Sequence, residues 1–184
     1  MKKLLFISLI FLFACCKNDD VDPNTTTYTV PAGDHYSTFD LTLLGNSVLE
    51  FSFTTDSSWI WPEPEHNGYS KVCGIAWNSN HSNSVRIVYM RSNDIGVLGY
   101  YYYLNGVSPM ENDSLWGVMD TVEIGKTYYC RLGWENEFYF IRMGDKNHSH
   151  KVPEKPNGWT NLQHPYIGGT YTIDHDWKTT VKWR

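Results

Sequence analysis

The segment that decides the fold class is Thr127-Tyr128-Tyr129-Cys130-Arg131-Leu132-Gly133-Trp134. Apolar side chains occupy every second position of it, and Thr127, Tyr129, Arg131 and Gly133 lie between them. Tyr128, Cys130, Leu132 and Trp134 fall on one side of an extended chain. Successive side chains of a β-strand point to opposite faces, so this period of two predicts a strand. We expect the Tyr128 set to face a hydrophobic core.

Turn residues flank this segment on both sides. Ile124-Gly125-Lys126 precedes it, Trp134-Glu135-Asn136-Glu137 follows it, and apolar runs continue at 115–124 and 137–143. Short links between runs of this composition join antiparallel neighbours. The sequence therefore predicts a three-stranded meander over 115–143.

The rest of the chain repeats the pattern of short runs rich in Val, Ile, Thr and aromatic residues, broken by Gly, Asn, Asp and Pro. This pattern is typical of strands and turns and leaves little room for helix. The polar stretch 144–158 is predicted as a long loop. We predict an all-β fold, a two-sheet antiparallel β-sandwich, with further strands near 27–30, 38–44, 48–55, 71–78, 84–91, 95–104 and 176–183.

The N-terminus has the pattern of a lipoprotein signal. Two lysines precede the apolar stretch Leu4–Phe13, and Leu12-Phe13-Ala14-Cys15 resembles a lipobox. The stretch is too short to span a hydrocarbon core of about 30 Å as a helix. We predict a signal peptide at 1–14, lipidation of Cys15 and a flexible tether over 15–27. A single sandwich domain is expected over 28–184.

Two alternatives remain for this segment. It could be an ordinary secretory signal, or Cys16 could be the modified residue, with Phe13 then at the usual Leu position. Lys17-Asn18-Asp19-Asp20 resembles the charged signal that directs some lipoproteins to the outer cell surface. We expect an outer-membrane lipid anchor facing the cell surface, with a periplasm-facing location as the alternative.

Charge and cysteine content exclude several classes. Residues 1–14 contain two lysines and no acidic residue, so their removal changes the net charge from −5 to −7. Nucleic acid is not expected as a partner, because phosphate binding needs a basic stripe. Cys73 and Cys130 could form a disulfide in an oxidising envelope or remain buried thiols, and the sequence leaves both open. The oligomeric state is equally open.

The C-terminal part of the chain resembles a known family. The resembling residues are Val122–Tyr129, Phe138–Ile141, His164–Gly169 and Asp174–Asp176 leading into Trp177–Trp183. They are similar to the second half of concanavalin A-like jelly rolls in bacterial envelope lipoproteins and polysaccharide-active proteins. The resemblance implies a jelly roll whose last strand runs antiparallel beside earlier ones. This fold hosts lectins, hydrolases, lyases and structural modules, so it does not imply one activity.

The catalytic motifs of the enzymatic members do not carry over. Sandwich glucanases place acidic residues alternately on one strand, because nucleophile and acid must lie about 5 Å apart on one side. Here Glu135 and Glu137 lie at a predicted turn. Alginate lyases of this fold would show an Arg-rich strand, a Gln-x-His strand and a Tyr-x-Lys-x-Gly-x-Tyr strand. Val85-Arg86-Ile87 and Tyr139–Arg142 match these only faintly.

Aromatic residues make up 16% of the chain and favour a sugar-binding face. Flat rings desolvate the apolar side of a sugar, although aromatic residues also fill cores. Arginines would bind sugar oxygens bidentately and favour an acidic sugar, or they could be ion-pair partners. The candidate ligand-binding residues are Trp59, Trp61, Arg86, Tyr101, Tyr103, Tyr129, Arg131 and Trp159.

Metal ligands are sparse. His148-x-His150, His164 and Asp174-His175-Asp176 offer nitrogen and oxygen donors, but convergence cannot be derived from sequence. We expect no cofactor, with calcium near Asp174 or Asp176 as a weak alternative.

We interpret the chain as a lipoprotein that binds carbohydrate without catalysis. The first alternative is a lyase or glycosidase using the same face, with Arg86, Tyr101, Tyr129, Arg131 and His164 as candidates. The second is a structural or adhesive envelope module.

The lipid anchor predicts how the protein fractionates. Each buried methylene contributes about 0.8 kcal/mol and a lipoprotein carries more than one acyl chain, so release from the membrane should be negligible. We expect the protein to remain in the membrane fraction after washes with salt and carbonate and to dissolve in detergent. Recovery in the salt wash would contradict the anchor.

Overall fold

The computed structural model describes residues 22–37, 41–60, 68–79, 81–92, 95–169 and 172–184. These residues form strands and two short 3₁₀ turns, at Ser57–Trp59 and Asp113–Leu115. No helix among them is long and apolar enough to cross a membrane. The strands are β1 (Thr25–Val30), β2 (Leu43–Leu44), β3 (Val48–Thr54), β4 (Ser70–Trp77), β5 (Asn83–Ser92), β6 (Ile95–Tyr103), β7 (Trp116–Thr121), β8 (Thr127–Glu135), β9 (Phe138–Met143), β10 (Lys146–Lys151), β11 (Thr160–Gln163) and β12 (Trp177–Trp183).

The strands form two six-stranded antiparallel sheets. Sheet A has the order β1-β12-β3-β8-β9-β10, and sheet B has the order β2-β11-β4-β5-β6-β7. Strands distant in sequence are neighbours in both sheets, such as β12 beside β3 and β11 beside β4. This arrangement is a jelly-roll sandwich and confirms the predicted fold class.

The core lies between the sheets and follows the predicted alternation. Tyr128, Cys130 and Leu132 of β8 are buried, as are Val85 and Ile87 of β5. Inward side chains of two facing sheets interdigitate in such a sandwich. The inward face of the 127–134 segment was therefore predicted correctly.

Aromatic rings fill one end of this core. The Trp59 ring stacks on Phe53 with centroids 5.7 Å apart, and it meets Tyr89 and Trp177 edge-on at 5.2 and 5.1 Å. Its indole N–H donates to the carbonyl oxygen of Lys178 at 2.8 Å. A short 3₁₀ turn thereby brings residues of both sheets together around one indole.

The predicted meander over 115–143 is wrong in its first strand. β7 pairs with β6 in sheet B, whereas β8 pairs with β3 and β9 in sheet A. The intervening link bonds to both sheets, because Val122 N–H donates to the Gly96 carbonyl and Gly125 N–H donates to the Thr55 carbonyl. A Gly-containing link can close a hairpin or cross between sheets, and the sequence does not distinguish the two.

The second half of the predicted meander is correct. β8 and β9 are joined by Asn136 and Glu137 alone, with positive φ angles of 51° and 69°. Two consecutive residues of positive φ form the turn that matches the twist of a hairpin.

Part of the predicted loop 144–158 is strand. β10 pairs with β9 from Lys146↔Met143 to Lys151↔Phe138, at the edge of sheet A. Edge strands are commonly polar and charged, because such side chains discourage pairing with another chain. Because β10 is polar, apolar alternation does not predict it. The short strand β11 is not predicted either.

The first strand begins before the predicted domain boundary at Tyr28. β1 starts at Thr25, and Thr25, Thr26 and Thr27 pair with Lys182, Val181 and Thr180. The last three residues of the predicted tether are therefore strand. Residues 1–21, including the predicted signal peptide and Cys15, lie outside the described residues.

Removal of the central indole should destabilise the sandwich. Trp59 is only 1% exposed, so we expect Trp59→Ala to lower the free energy of unfolding by about 3–5 kcal/mol, through lost burial and a cavity. Its neighbour Ile60 is 57% exposed, so Ile60→Ala should change it by less than about 0.5 kcal/mol. Urea denaturation of both variants measures the difference. Equal, small changes would contradict the role of Trp59 in the core.

Candidate functional site

The outer face of sheet B carries a row of polar and aromatic side chains. Strand register places Gln163 beside Gly74, Gly74 beside Arg86, Arg86 beside Tyr101, and Tyr101 beside Trp116. These residues come from five successive strands, β11 to β7. Because side chains of paired residues point to the same side, the row lies on the face opposite to the core. We call this surface, with Lys71, Tyr103 and Asn161, the Arg86 face.

Arg86 is buried at the base of this face. Arg86 is 3% exposed, and its side chain lies over Gly74, the residue paired with it on the neighbouring strand β4. A Cβ at Gly74 would lie 2.9 Å from the Arg86 Cγ, so the glycine leaves the space that the arginine fills. The guanidinium carbon lies 5.2 Å from the centre of the Tyr103 ring, within the range of a cation–π contact.

Further aromatic rings surround the guanidinium. Tyr101 packs against Tyr69 and Tyr103 with centroid distances of 5.1 and 5.7 Å, and Tyr69 contacts Trp116 at 5.2 Å. Tyr101 is almost fully buried, whereas Tyr69, Tyr103 and Trp116 are partly exposed. The face thus has a buried charged base and a partly exposed aromatic rim.

Lys71 reaches this face through an irregularity in β4. The register shifts between Lys71 and Cys73, so Lys71 pairs with Val88 and points outward while Cys73 points into the core. The Lys71 Nζ lies 4.7 Å from the centre of the Tyr166 ring and 5.9 Å from that of Tyr101.

Burial and like charge set the protonation of this cluster. The pKa of Lys71 is lowered to about 7, first because burial disfavours the ammonium and then because Arg86 carries the same charge. Burial also lowers the pKa of Arg86, to about 10, and raises that of Tyr101. The pKa of His81 is lowered by burial and by Arg86 and Lys71. A bound anion would relieve these costs.

Two buried amides extend the row. Gln163 Nε2 donates to the Asn161 Oδ1, and the Asn161 Nδ2 donates to the Ala76 carbonyl at 3.2 Å. Both side chains are less than a tenth exposed and lie on the outer side of β11. Amides in this position can donate to and accept from sugar hydroxyls.

Tyr129 and Arg131 lie on the opposite side of the sandwich. They belong to β8, so their side chains point outward from sheet A, whereas Arg86, Tyr101 and Tyr103 point outward from sheet B. The predicted single face is therefore two faces separated by the core. Alternation along a strand shows which residues share its side, but it does not show which sheet the strand joins.

Arg131 is held by two carboxylates. Its Nε donates to Glu50 at 2.9 Å, and its two terminal nitrogens donate to Glu135 at 3.0 and 2.8 Å. These bonds use three of its five N–H donors and set two carboxylates against its charge, so the ion-pair interpretation of Arg131 holds. Glu135 is thereby a partner of Arg131, and Glu137 is an exposed turn residue.

Of the three tryptophan candidates, the structure describes Trp59 and Trp159, and these two do not share a surface. Trp59 is in the core, as described above, so its ring is not available to a ligand. Trp61 lies outside the described residues. Trp159 is 47% exposed beside Asn78, whose N–H donates to its carbonyl at 2.9 Å.

His164, a candidate for a catalytic role, is not part of the Arg86 face. Its ring packs against Tyr28 at 5.3 Å, and its Nε2 lies 3.4 Å from the Thr42 hydroxyl. Residue 164 follows Gln163 directly, so alternation sends its side chain to the other side of β11.

The histidines and aspartates considered as metal ligands are also apart. His148 stacks on Tyr100 with centroids 3.5 Å apart, His175 is bonded to Asp174 at 2.8 Å, and Asp176 accepts from the Ala32 N–H. Within the described ranges, no group of three or more His, Cys, Asp or Glu side chains could hold a metal ion. Calcium near Asp174 or Asp176 stays a prediction.

Cys73 and Cys130 are buried free thiols. Burial raises the pKa of both well above the usual value, and Cys130 is further affected by Cys73. Neither thiol is placed to act as a nucleophile, because that role needs a lowered pKa and access to solvent.

Sequence reasoning missed Lys71, Asn161 and Gln163. Lys71 is the one basic residue of an otherwise apolar strand, which was a signal, but the β-bulge that turns it outward breaks the alternation. Asn161 and Gln163 alternate along a strand too short and too polar to be recognised.

Comparison with known structures shows the fold of the chain. Alginate lyase from Alteromonas sp. 272 superposes with a TM-score of 0.51 over 91% of this chain and 88% of the lyase, at 12% identity. A family 16 glycosyl hydrolase from Mycobacterium smegmatis superposes with a TM-score of 0.40 over 85% of this chain and 74% of the hydrolase, at 13% identity. The carbohydrate-binding module CBM66 from Bacillus subtilis superposes with a TM-score of 0.38 over 88% of this chain and 92% of the module, at 12% identity. No family model and no curated protein sequence matches. The chain has the concanavalin A-like jelly roll.

The buried lysine makes a measurable prediction about pH. Burial and Arg86 both disfavour the ammonium, so Lys71 should lose its proton near pH 7 while exposed lysines titrate near 10.4. Reductive ¹³C-methylation followed by an NMR pH titration would show one dimethyl-lysine signal with a midpoint near neutrality. That signal should be missing from Lys71→Met. A titration in which every lysine behaves as an exposed one would contradict the described burial.

Proposed function

We propose that this protein binds an acidic carbohydrate through the Arg86 face. The observation that carries the proposal is a buried guanidinium and a lysine ammonium, bordered by partly exposed aromatic rings and by two side-chain amides. The fold supports it in general terms, since carbohydrate-active proteins are among its known members, and the site supplies the specific argument.

The rim favours a carbohydrate over other anions. A sugar ring has an apolar C–H side that packs on aromatic surfaces and hydroxyls that need polar partners. Tyr69, Tyr103 and Trp116 offer ring surface, and Asn161 and Gln163 offer amide donors and acceptors on the same face. A small inorganic anion would make no use of this combination.

The base favours an acidic sugar. The positive charge of Arg86 would attract a carboxylate, and Lys71 would add a second positive charge. Binding a carboxylate between them compensates the cost of burying both groups. We therefore expect uronic-acid or sulfated glycans to be preferred over neutral ones.

A lyase is the second candidate, and Lys71 is the observation that favours it. β-Elimination removes the proton alpha to the uronate carboxylate, forms a carbon–carbon double bond and breaks the glycosidic C–O bond at the β carbon, whose oxygen takes up a proton from solvent as it leaves. A cation such as Arg86 would neutralise the carboxylate and stabilise the enolate. An amine with a pKa of about 7 is partly neutral at physiological pH and can accept a proton. A glycosidase has less support, because each described strand carries at most one Asp or Glu. A structural or adhesive module without a small ligand remains the third alternative.

The N-terminal sequence supports a place for this function. With Cys15 lipidated, the sandwich would be held at the outer membrane, facing the cell surface or the periplasm, where polysaccharides are met. This location is a proposal and does not depend on the Arg86 face.

A glycan array with product analysis tests the proposal. The full chain, purified in non-ionic detergent, should retain polyuronates or sulfated glycans and not neutral ones. Lys71→Gln and Arg86→Lys should each weaken retention about tenfold or more, since hydrogen bonds to charged groups contribute about 1.5–3 kcal/mol. Lys178→Gln removes one exposed positive charge elsewhere and should have no effect.

The same experiment distinguishes the candidates. Retention should strengthen from pH 8 to pH 6, as Lys71 gains its proton, and Lys71→Gln should abolish this pH dependence. Unsaturated products that absorb in the ultraviolet would establish the lyase instead. If Lys71→Gln and Arg86→Lys both retain glycans as the wild-type chain does, the Arg86 face is not the binding site. If the wild-type chain retains no glycan, a structural role is favoured.

A further inference from the structure

The outer face of sheet A contains an open cavity lined by arginines. It has a volume of about 240 Å³ and lies over β3, β8 and β9. Arg131, Arg142 and Arg184 line it together with one acidic residue, Glu50. The volume is below the roughly 300 Å³ at which pockets for drug-sized ligands begin, so it suits a single sugar residue or smaller group.

Two of the three arginines are available to a ligand. Arg131 is held by Glu50 and Glu135, as described above, whereas Arg142 and Arg184 have no ion pair with any carboxylate of the described residues. The cavity therefore keeps a positive excess in a chain whose net charge is −5. This local sign is what an acidic group would recognise.

Aromatic rings fix both guanidinium groups. The Arg184 guanidinium carbon lies 4.8 Å from the centre of the Tyr129 ring, and that of Arg142 lies 5.8 Å from the centre of the Phe140 ring. Tyr129 is 55% exposed, so the Arg184 contact lies at the surface. An arginine stacked on a ring loses less conformational freedom when it binds a planar anion, because its fork is already oriented.

The hairpin below the cavity is also fixed. Gly144 N–H donates to the Tyr129 carbonyl at 3.0 Å, and Arg142 and Arg131 are directly paired in the register of β8 and β9. The Arg131–Glu50–Glu135 cluster thus positions the floor, and the two remaining arginines extend from it.

We propose that this cavity binds the carboxylate or sulfate group of an acidic carbohydrate and is a second site, on the side of the sandwich opposite to the Arg86 face. It shares its ligand class with the proposed function and rests on that function to this extent only. Two sites on opposite faces would bridge separate polysaccharide strands. They would also raise the retention of a polymer above that of a short oligosaccharide.

The test compares three variants with the wild-type chain by calorimetric stoichiometry. The probes are trigalacturonate, which carries carboxylates and no sulfate, and a κ-carrageenan tetrasaccharide, which carries sulfates and no carboxylate. Arg142→Gln with Arg184→Gln removes the second site and leaves the Arg131 ion pairs intact. Lys155→Gln with Lys178→Gln removes the same charge from exposed positions and is the matched control. Thermal unfolding of each variant verifies the fold.

We expect the wild-type chain, in detergent, to bind two equivalents of one probe. The arginine double variant should bind one equivalent. Lys71→Gln should weaken binding of the equivalent that this variant keeps, and the lysine control should bind two equivalents. Polymer retention by the arginine variant should fall about tenfold or more. Anionic lipid vesicles free of glycan should compete for neither site.

Each other outcome is decisive. One equivalent that is lost in Lys71→Gln and kept in the arginine variant overturns the second site and leaves the proposed function standing. One equivalent that is lost in the arginine variant and kept in Lys71→Gln supports the site on sheet A and excludes binding at the Arg86 face. No binding overturns both, and displacement by anionic vesicles would assign the cavity to a membrane surface.

Discussion

Burial of the Arg86 guanidinium is the constraint on which the organisation of sheet B depends. A charged group that is 3% exposed on the outer side of a sheet must be compensated by its surroundings. Gly74 makes room for the side chain, the Tyr103 ring faces the charge, and Tyr101 and Gln163 extend the row to either side. The same arrangement that makes the burial tolerable is the basis of the proposed anion site.

Lys71 shows how this constraint spreads. An ammonium next to a buried guanidinium adds a second positive charge, and burial together with Arg86 lowers the pKa of Lys71 to about 7. The bulge in β4 that turns Lys71 outward is therefore more than an irregularity of pairing. It gives the face an amine whose protonation changes near neutral pH.

How far the sequence could predict the structure follows from the kind of signal each element carries. Alternation identifies β8 and its buried side. Tyr128, Cys130 and Leu132 occupy every second position and are apolar, which indicates a strand with these side chains on its buried face. Alternation failed for β10 and β11, whose polar side chains lie at a sheet edge or in a buried hydrogen-bonded row. It also could not show that the link before Thr127 crosses between sheets. The candidates Arg86 and Tyr129 were both sensible, but their separation by the core depends on strand order, which is a long-range property.

The two faces differ in a way that bears on whether the protein turns its ligand over. On sheet A, the guanidinium groups of Arg142 and Arg184 lie near aromatic rings, and neither makes an ion pair with a carboxylate of the described residues. On sheet B, burial brings one amine to a pKa near 7, beside an arginine that can neutralise a carboxylate. Of the two proposed sites, the Arg86 face is the better candidate for chemistry, because burial there brings the pKa of Lys71 to about 7. The degree of burial is thus the physical difference between the two proposed sites.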